Sequence, residues 1–386
     1  MSTLPKKADV VIIGGGVNGC SLAYQLARKD LDVVLCERRY LCSGDTGRCG
    51  AGIRQQWSTR ENVELAIGSI KIFEQLSKEL QMDIGLRQGG YLIAVHNEKE
   101  MQQAEKNVAL QKSLGLDVSI LSPDEMIKVA PVLDPKGMRA VGATFCPTDG
   151  HADPFKTTYA YAQAAISAGA QLYKFTEVTG IRKKKNRVAS VQTNLGVIET
   201  DTVVNVAGAY SKEIAAMLGV TLPNYPLRKE ILVTERVKPL FQCMVISFTD
   251  GIYFSQQEEG QILGGIPVLG ETPGYKNAPT FPFLVHMSRT LTRYAPMLRP
   301  VNVIRQWTGY YDMTPDARPI LGEVNGVKGF LQCNGFSGHG FMLSPMATKL
   351  LTAYIVEGKS LPILENLQLS RFEKGSDIER EASVVG

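Results

Sequence analysis

The chain of 386 residues lacks the spacings that would make a metal or disulfide framework: its seven cysteines form no C-x-x-C pair and stand near no paired histidines. Scattered thiols in odd number fit a reducing cytoplasm. Long hydrophobic runs are also missing. No stretch approaches the ~18 apolar residues of a membrane span. The N-terminal run Val10-Val11-Ile12-Ile13 ends at once in three glycines, too short for a signal-peptide core. Nor does one sign of charge dominate: 42 basic against 38 acidic side chains leave a net +4. That balance is too mild to argue for nucleic acid or an anionic membrane surface as partner, and neither is expected. The single basic cluster, Arg182 to Arg187, lies between two strand-like segments and reads as a solvated hairpin tip. A soluble cytoplasmic protein without metal is expected. With 44% hydrophobic and 21% charged residues, the chain has room for two domains with proper cores.

Ala8 to Ile13 is short, β-branched and without alternation, the pattern of a buried parallel strand. It runs into Gly14-Gly15-Gly16-Val17-Asn18-Gly19, then into a helical pattern over Cys20 to Lys29. A second strand, Asp32 to Cys36, ends at Glu37. Gly14 allows the tight turn, Gly16 admits a pyrophosphate, and Gly19 permits close helix–strand packing. The helix start offers unpaired N–H groups and a positive dipole end to phosphates. Glu37 can accept hydrogen bonds from ribose hydroxyls, and Arg38 follows it at the same edge. This unit alone does not separate FAD from NAD.

Two further segments do. Arg38 to Arg54 is a small-residue loop at the carboxyl edge of the sheet, where ligands bind. Its hydroxyls at Ser43 and Thr46, its backbone around Cys49, Gly50 and Ile53, and Arg48 can follow an extended dinucleotide. Near the other end of the chain, Gly329 to Asn334 reads as a strand. Gly335-Phe336-Ser337-Gly338-His339-Gly340 follows as a second glycine turn, and a helix is expected from about Leu343 to Val356. A helix start aimed at an isoalloxazine stabilises the negative charge of the reduced ring. The strand Val203 to Val206 ends in Ala207 and Gly208, and backbone at Val178, on the strand feeding that sheet, is the expected adenine contact.

Taken together, Gly14 to Gly16 with Glu37, the Ser43 to Arg54 loop, Ala207-Gly208 and Gly335 to Phe341 resemble the D-amino-acid oxidase class of flavoproteins over essentially the whole chain. Within it the chain is most similar to the β subunits of heteromeric sarcosine oxidase and of L-proline dehydrogenase. Arg48-Cys49-Gly50, Gly52 to Gln56, Pro147 to Gly150, Ala152 to Phe155, Gly309 to Tyr311 and Thr314 to Asp316 carry that similarity. The resemblance implies oxidation of a secondary or cyclic amino acid to an imine, with hydride passing to flavin N5. It also implies a second, α-type subunit. Gly338, His339, Gly340, Phe341 and Met342 would face the flavin. No cysteine falls in Trp307 to Asp316, where monomeric sarcosine oxidases tether FAD, so non-covalent FAD is implied. Residues 239–275 contain no lysine, and Met342 stands where relatives carry one. The implied activity is therefore a dehydrogenase handing electrons to another carrier. Ala152 precedes Asp153 where a histidine would carry covalent FMN; a non-covalent FMN at a subunit interface stays open.

The resulting fold class is α/β, a Rossmann-like FAD-binding domain interleaved with an α+β substrate domain that has a mixed, largely antiparallel sheet. The FAD domain takes 1–85, 141–219 and 312–375, the substrate domain 86–140 and 220–311, and 376–386 form a C-terminal tail. Tyr91, Tyr253, Tyr294, Trp307, Tyr310 and Tyr311 are candidates to line an apolar pocket, and the resemblance places Tyr253 and Tyr311 against the ring. A substrate carboxylate needs a cation, and a bidentate guanidinium suits it. The resemblance assigns this to Arg54, with Tyr253, Tyr311 and His339 completing the catalytic set. The glycine oxidase branch has an arginine just after its Trp-x-Gly, where this chain has Tyr311. Alternatives are a self-sufficient glycine/sarcosine-type oxidase, a flavin-binding assembly subunit without turnover, and, more remotely, an NAD-dependent dehydrogenase.

Overall fold

A computed structural model describes residues 3–373 and 380–384. The run Val10–Ile13 is a strand buried along its whole length, and its alternating side chains enter two different cores. Val10 and Ile12 pack under a helical layer, Val11 and Ile13 under the opposite layer. Parallel pairing joins it to Val33–Cys36 on one side and Val203–Asn205 on the other. Gln171–Tyr173 and Phe330–Asn334 extend the parallel sheet, and Ile320–Glu323 closes one edge antiparallel. The helical layer comprises α1 (Val17–Ala27), α2 (Arg60–Glu79), α3 (Pro154–Ser167) and α4 (Gly340–Glu357). A three-stranded antiparallel sheet, Val178–Lys184, Arg187–Thr193 and Gly196–Glu199, covers the other face. The basic cluster spans the exposed ends of its first two strands and the turn between them. Val178 thus opens this separate sheet and does not feed the six-stranded one.

Helices α1 and α4 lie side by side although they are far apart in sequence. Ser21 and Thr348 share a 2.8 Å hydrogen bond, Gln25 Nε2 donates to Thr348 Oγ1 at 2.7 Å, and Asn18 Nδ2 donates to Gly340 O at 3.0 Å. The last contact aligns the two N-termini. Helix α4 starts three residues before the expected Leu343. Gly338, at φ +92°, turns the chain sharply enough for regular helix to begin at Gly340. A glycine-rich start hides that boundary from propensity alone.

Eight strands make the second sheet. Its spatial order is Val303–Met313, Tyr225–Arg236, Gln261–Gly265, Tyr253–Gln256, Met244–Ser247, Tyr91–Val95, Gly142–Cys146 and Ser119–Leu121. Only the Met244–Ser247 and Tyr91–Val95 pair is parallel. Leu92, Val245 and Phe254 on one face pack against the helix Phe281–Tyr294, while Tyr91, Ile93, Met244 and Ile246 cluster on the other face. The strand Gly142–Cys146 belongs to this sheet, although 141–219 was expected to be wholly in the dinucleotide-binding part. An apolar strand does not announce which sheet it joins. Val303–Met313 likewise runs on unbroken past residue 311. Within the expected 376–386 tail, 376–379, 385 and 386 lie outside the described residues. No helix among the described residues is long and apolar enough to cross a membrane.

The entry of α1 is packed tightly against backbone. A Cβ on Gly19 would sit 1.9 Å from the Gly14 carbonyl oxygen. Gly19→Ala is therefore expected to lose ~1–3 kcal/mol of stability through overpacking against backbone that cannot yield. Denaturant unfolding of the two proteins measures this, and equal midpoints would show that the turn adapts.

Candidate active site

Helices usually satisfy their first N–H groups with a capping side chain. Here Asp153 caps α3, but Gly16 and His339 supply no side-chain cap to α1 and α4, and neither first turn holds an acidic residue. Both open ends face one cavity of about 580 Å³. Two positively polarised helix starts on one cavity, neither capped by its own N-cap residue, are suited to a ligand with separated electron-rich groups. Gly14, Gly15, Gly16, Val17 and Asn18 line one end of it. Glu37 takes hydrogen bonds from Gly15 N (2.7 Å) and Arg39 N (2.8 Å), which fixes its carboxylate at the wall with lone pairs left for hydroxyls. Arg38, Val178, Ala207 and Gly208 flank it, and the Arg38 guanidinium lies 3.8 Å above the Tyr210 ring. Gly19 and Ile53 do not reach the wall. Gly19 lets α1 pack on its turn, and Ile53 is buried in the helical core.

The Ser43–Gly50 loop forms the middle of the wall. Thr46 Oγ1 accepts from Val17 N at 3.2 Å, and Arg48 Nη1 donates to Thr308 O at 3.0 Å. Ser43, Cys49 and Gly50 line the same stretch. Burial pushes the Cys49 thiol up to about 12, which keeps it a neutral thiol and a poor nucleophile. Asp45, absent from the expected set, accepts from Tyr310 N at 2.8 Å, and burial raises its carboxyl to about 6.

At the far end, the second glycine turn is held by the last residues of Val303–Met313 and by Thr314 just past it. Asp312 Oδ2 accepts from Gly335 N at 2.6 Å, Asp312 O from Ser337 N at 2.9 Å, and Ser337 Oγ from Thr314 N at 3.1 Å. Burial pushes the Asp312 carboxyl up to about 7. A Cβ on Gly338 would lie 2.4 Å from the Tyr311 ring, so this turn and this aromatic are in direct register. His339, Gly340, Phe341 and Met342 complete that end. His339 meets Trp57 edge-on at 4.3 Å. Burial, then the Arg54 charge, hold its pKa well below the ordinary range, so it is a neutral imidazole.

The second sheet roofs the cavity through its alternating face: Tyr91, Lys229, Ile231, Met244, Ile246 and Tyr253 all point inward. Tyr310 and Tyr311 join them. Tyr294 does not. It is fully buried in the other core and donates to Asp250 Oδ2 at 2.6 Å. Trp307 spends its indole N–H on Arg48 O at 3.0 Å and is likewise not on the wall. Arg54, 2% exposed, borders the cavity beside Tyr91 and Tyr311. Its Nη1 donates to Gln56 O at 2.9 Å and its Nη2 to Ser383 O at 2.7 Å, and it stacks 3.9 Å over Trp57. Among the described residues no carboxylate pairs with it within 4.0 Å. A buried guanidinium held only by neutral acceptors leaves its charge for an incoming anion.

Lys229 corrects the premise that the site lacks a lysine. It lies just upstream of the lysine-free window, on Tyr225–Arg236, with Nζ 5.1 Å from the Tyr311 ring centroid. Burial lowers its pKa to about 8. Strand alternation could have flagged it, but in Arg228-Lys229-Glu230 nothing in the sequence says which side chain turns inward.

Comparison with known proteins agrees with this geometry. The profile of the DAO family, described as FAD dependent oxidoreductase, matches residues 9–354. The chain is 29% identical to the sarcosine oxidase β subunit of an Arthrobacter species, over 99% of this chain and 95% of that one. The crystal structure of L-proline dehydrogenase from P. horikoshii superposes with a TM-score of 0.92 at 35% identity, covering 97% of this chain and 100% of that one. Glycine oxidase from Geobacillus kaustophilus gives a TM-score of 0.86 at 27% identity, covering 95% and 99%. Two open helix starts facing one cavity and a family match across most of the sequence lead to one conclusion: the chain belongs to the DAO family of FAD-dependent oxidoreductases.

Proposed function

We propose that this protein oxidises a secondary or cyclic amino acid of the sarcosine or proline type to its imine, as the FAD-bearing subunit of a dehydrogenase with a second subunit. The observation that carries the reading is Arg54, a buried cation with no carboxylate within 4.0 Å among the described residues, set on the cavity wall beside Tyr311. The similarity to a sarcosine oxidase β subunit and an L-proline dehydrogenase supports the substrate class and the partner.

FAD, when bound, supplies the acceptor for the hydride leaving the substrate carbon. The chain's own residues hold it: the α1 start and Gly14–Gly16 take the diphosphate, Glu37 the ribose, and the α4 start the electron-rich end of the ring. The neutral Cys49 thiol favours non-covalent attachment. An FMN between subunits remains part of the proposal only as a further ligand of the assembled complex. Arg54 binds the substrate carboxylate, Tyr253 and Tyr311 pack against the substrate and exclude water, and His339 stays a neutral imidazole at that end. A roof that carries the Lys229 amine and no carboxylate among its named residues favours the deprotonated amine, from which hydride loss needs no separate base.

A second reading, the self-sufficient oxidase, is supported by Lys229, since a cation near the reduced ring stabilises superoxide. Anaerobic mixing with sarcosine and with each enantiomer of proline tests the main proposal. The flavin band should bleach within seconds for at least one of them, and no bleaching would leave the assembly-subunit reading. Turnover with a dye and little peroxide in air identifies the dehydrogenase, whereas stoichiometric peroxide identifies the oxidase.

Arg54→Met should weaken carboxylate substrates by about 2–4 kcal/mol, roughly 30- to 1,000-fold in KM. An unchanged KM would remove Arg54 from the site. Lys229 adds a titration, because an amine of lowered pKa is charged below that pKa and neutral above it. Affinity for pyrrole-2-carboxylate, which has no basic amine, should therefore fall as pH rises through about 8. Lys229→Met should flatten that limb, and a limb that persists in the variant would assign it elsewhere.

A further inference from the structure

The C-terminal segment beyond residue 379 comes back to the substrate end of the cavity. Ser383 O is one of the two acceptors that hold Arg54. Two residues earlier, the Glu381 side chain, 1% exposed, is enclosed by donors at the start of α2. Its Oε1 accepts from Ser58 N at 3.0 Å and from the Ser58 hydroxyl. Its Oε2 accepts from Thr59 N at 3.0 Å, Thr59 Oγ1 at 2.7 Å and Asn62 Nδ2 at 3.1 Å. Thr59, the residue in the N-cap position of α2, makes no capping hydrogen bond of its own. The helix is instead closed from the other end of the chain.

Other bonds draw the segment taut. Glu381 N donates to Asp316 O at 3.0 Å, Ala382 N to Ser58 Oγ at 2.9 Å, and Ser383 N back to Glu381 Oε1 at 2.9 Å. Asp316 lies just past the strand that carries Tyr311 and is itself gripped by Arg371 and Arg318. The strap therefore spans from the Tyr311 strand to the segment Arg54–Thr59. On its other side that segment is held by Asp149, which accepts from Gln55 N at 2.8 Å and Gln56 Nε2 at 3.0 Å. With Nη1 and Nη2 each giving one proton to a carbonyl, the guanidinium is held from two sides at the cavity border and keeps further N–H groups for a ligand.

We propose that the strap Arg380–Val384, anchored through Glu381, is a positioning device for Arg54 and sets the affinity of the site for the substrate carboxylate. Glu381 touches neither substrate nor cofactor. Its charge is spent on the α2 start, and its effect reaches the cavity through Ser383 O. This rests on the reading of Arg54 as the carboxylate-binding residue, and the test separates the two.

The experiment is a spectral titration of the oxidised holoenzyme with pyrrole-2-carboxylate, an anionic ring with no transferable hydride, and with neutral pyrrole-2-carboxamide. Glu381→Ala should raise Kd for the carboxylate about tenfold or more, as a displaced anchor does, while the carboxamide Kd changes about twofold or less. Glu381→Gln, which keeps the shape and one acceptor, should fall between wild type and Glu381→Ala. With substrate, KM should rise far more than the limiting rate of flavin reduction falls. If Glu381→Ala does not fold, Ser58→Ala, which removes two of the strap's anchoring bonds, gives the same ordering more weakly. Arg54→Met is the reference. If it weakens the carboxylate and the strap variants do not, or if they weaken both ligands equally, the strap proposal is overturned while the Arg54 reading stands. If Arg54→Met itself leaves carboxylate binding intact, both fall.

Discussion

The side-by-side packing of α1 and α4 is the constraint on which the rest depends. Each helix follows a strand of the same parallel sheet and a glycine turn, and each ends that turn without a capping side chain. Asn18 bonded to Gly340 O fixes the two starts at one level. Because the sheet is parallel, both starts lie at its carboxyl edge, so two positive dipole ends point into one cavity. Separated helix starts could each bind an anion. Held together, they form a site for one long ligand with electron-rich groups at both ends.

The second sheet makes that groove into a reaction chamber. Its strands alternate, so one face builds an independent core while the other lowers Tyr91, Lys229, Ile231, Met244 and Tyr253 onto the cavity. The ionisable groups around the Tyr311 end differ in state. Arg54 is a buried cation, Lys229 a half-buried one, Asp45 and Asp312 are carboxyls pushed up by burial, and His339 is neutral. Asp45 and Asp312 are spent on backbone N–H groups of Tyr310 and Gly335 and hold the wall in place. What remains for a ligand is net positive, which suits a substrate carboxylate and a ring that gains negative charge on reduction.

Much of this was legible in the sequence because it resides in local patterns. The buried run before Gly14, the acid after the second strand and the glycine turn before α4 each carry their role in a few adjacent residues. Nearly every residue expected at the flavin site reaches the cavity wall, with Gly19 and Ile53 the exceptions. What could not be read depends on pairing partners. Gly142–Cys146 looks like any apolar strand, and only its ladder with Tyr91–Val95 places it in the second sheet. Tyr294 and Tyr253 are both aromatic residues of that domain, and sheet face versus helix face decides which one sees the ligand. Lys229 lies upstream of the lysine-free stretch 239–275, in a charged triplet whose pattern does not mark the inward side chain. The strap from Glu381 to Ser383 was invisible, since a short polar segment near a chain end has no pattern of its own.

The central claim is that one FAD is gripped non-covalently by the two helix starts. Acid denaturation of the purified protein, followed by quantification of the released chromophore, tests it most directly. The account predicts about one FAD per chain in the supernatant and none left on the polypeptide, with the apoprotein regaining the cofactor on refolding. A polypeptide that takes up no isoalloxazine, or one that keeps it through denaturation, would contradict it.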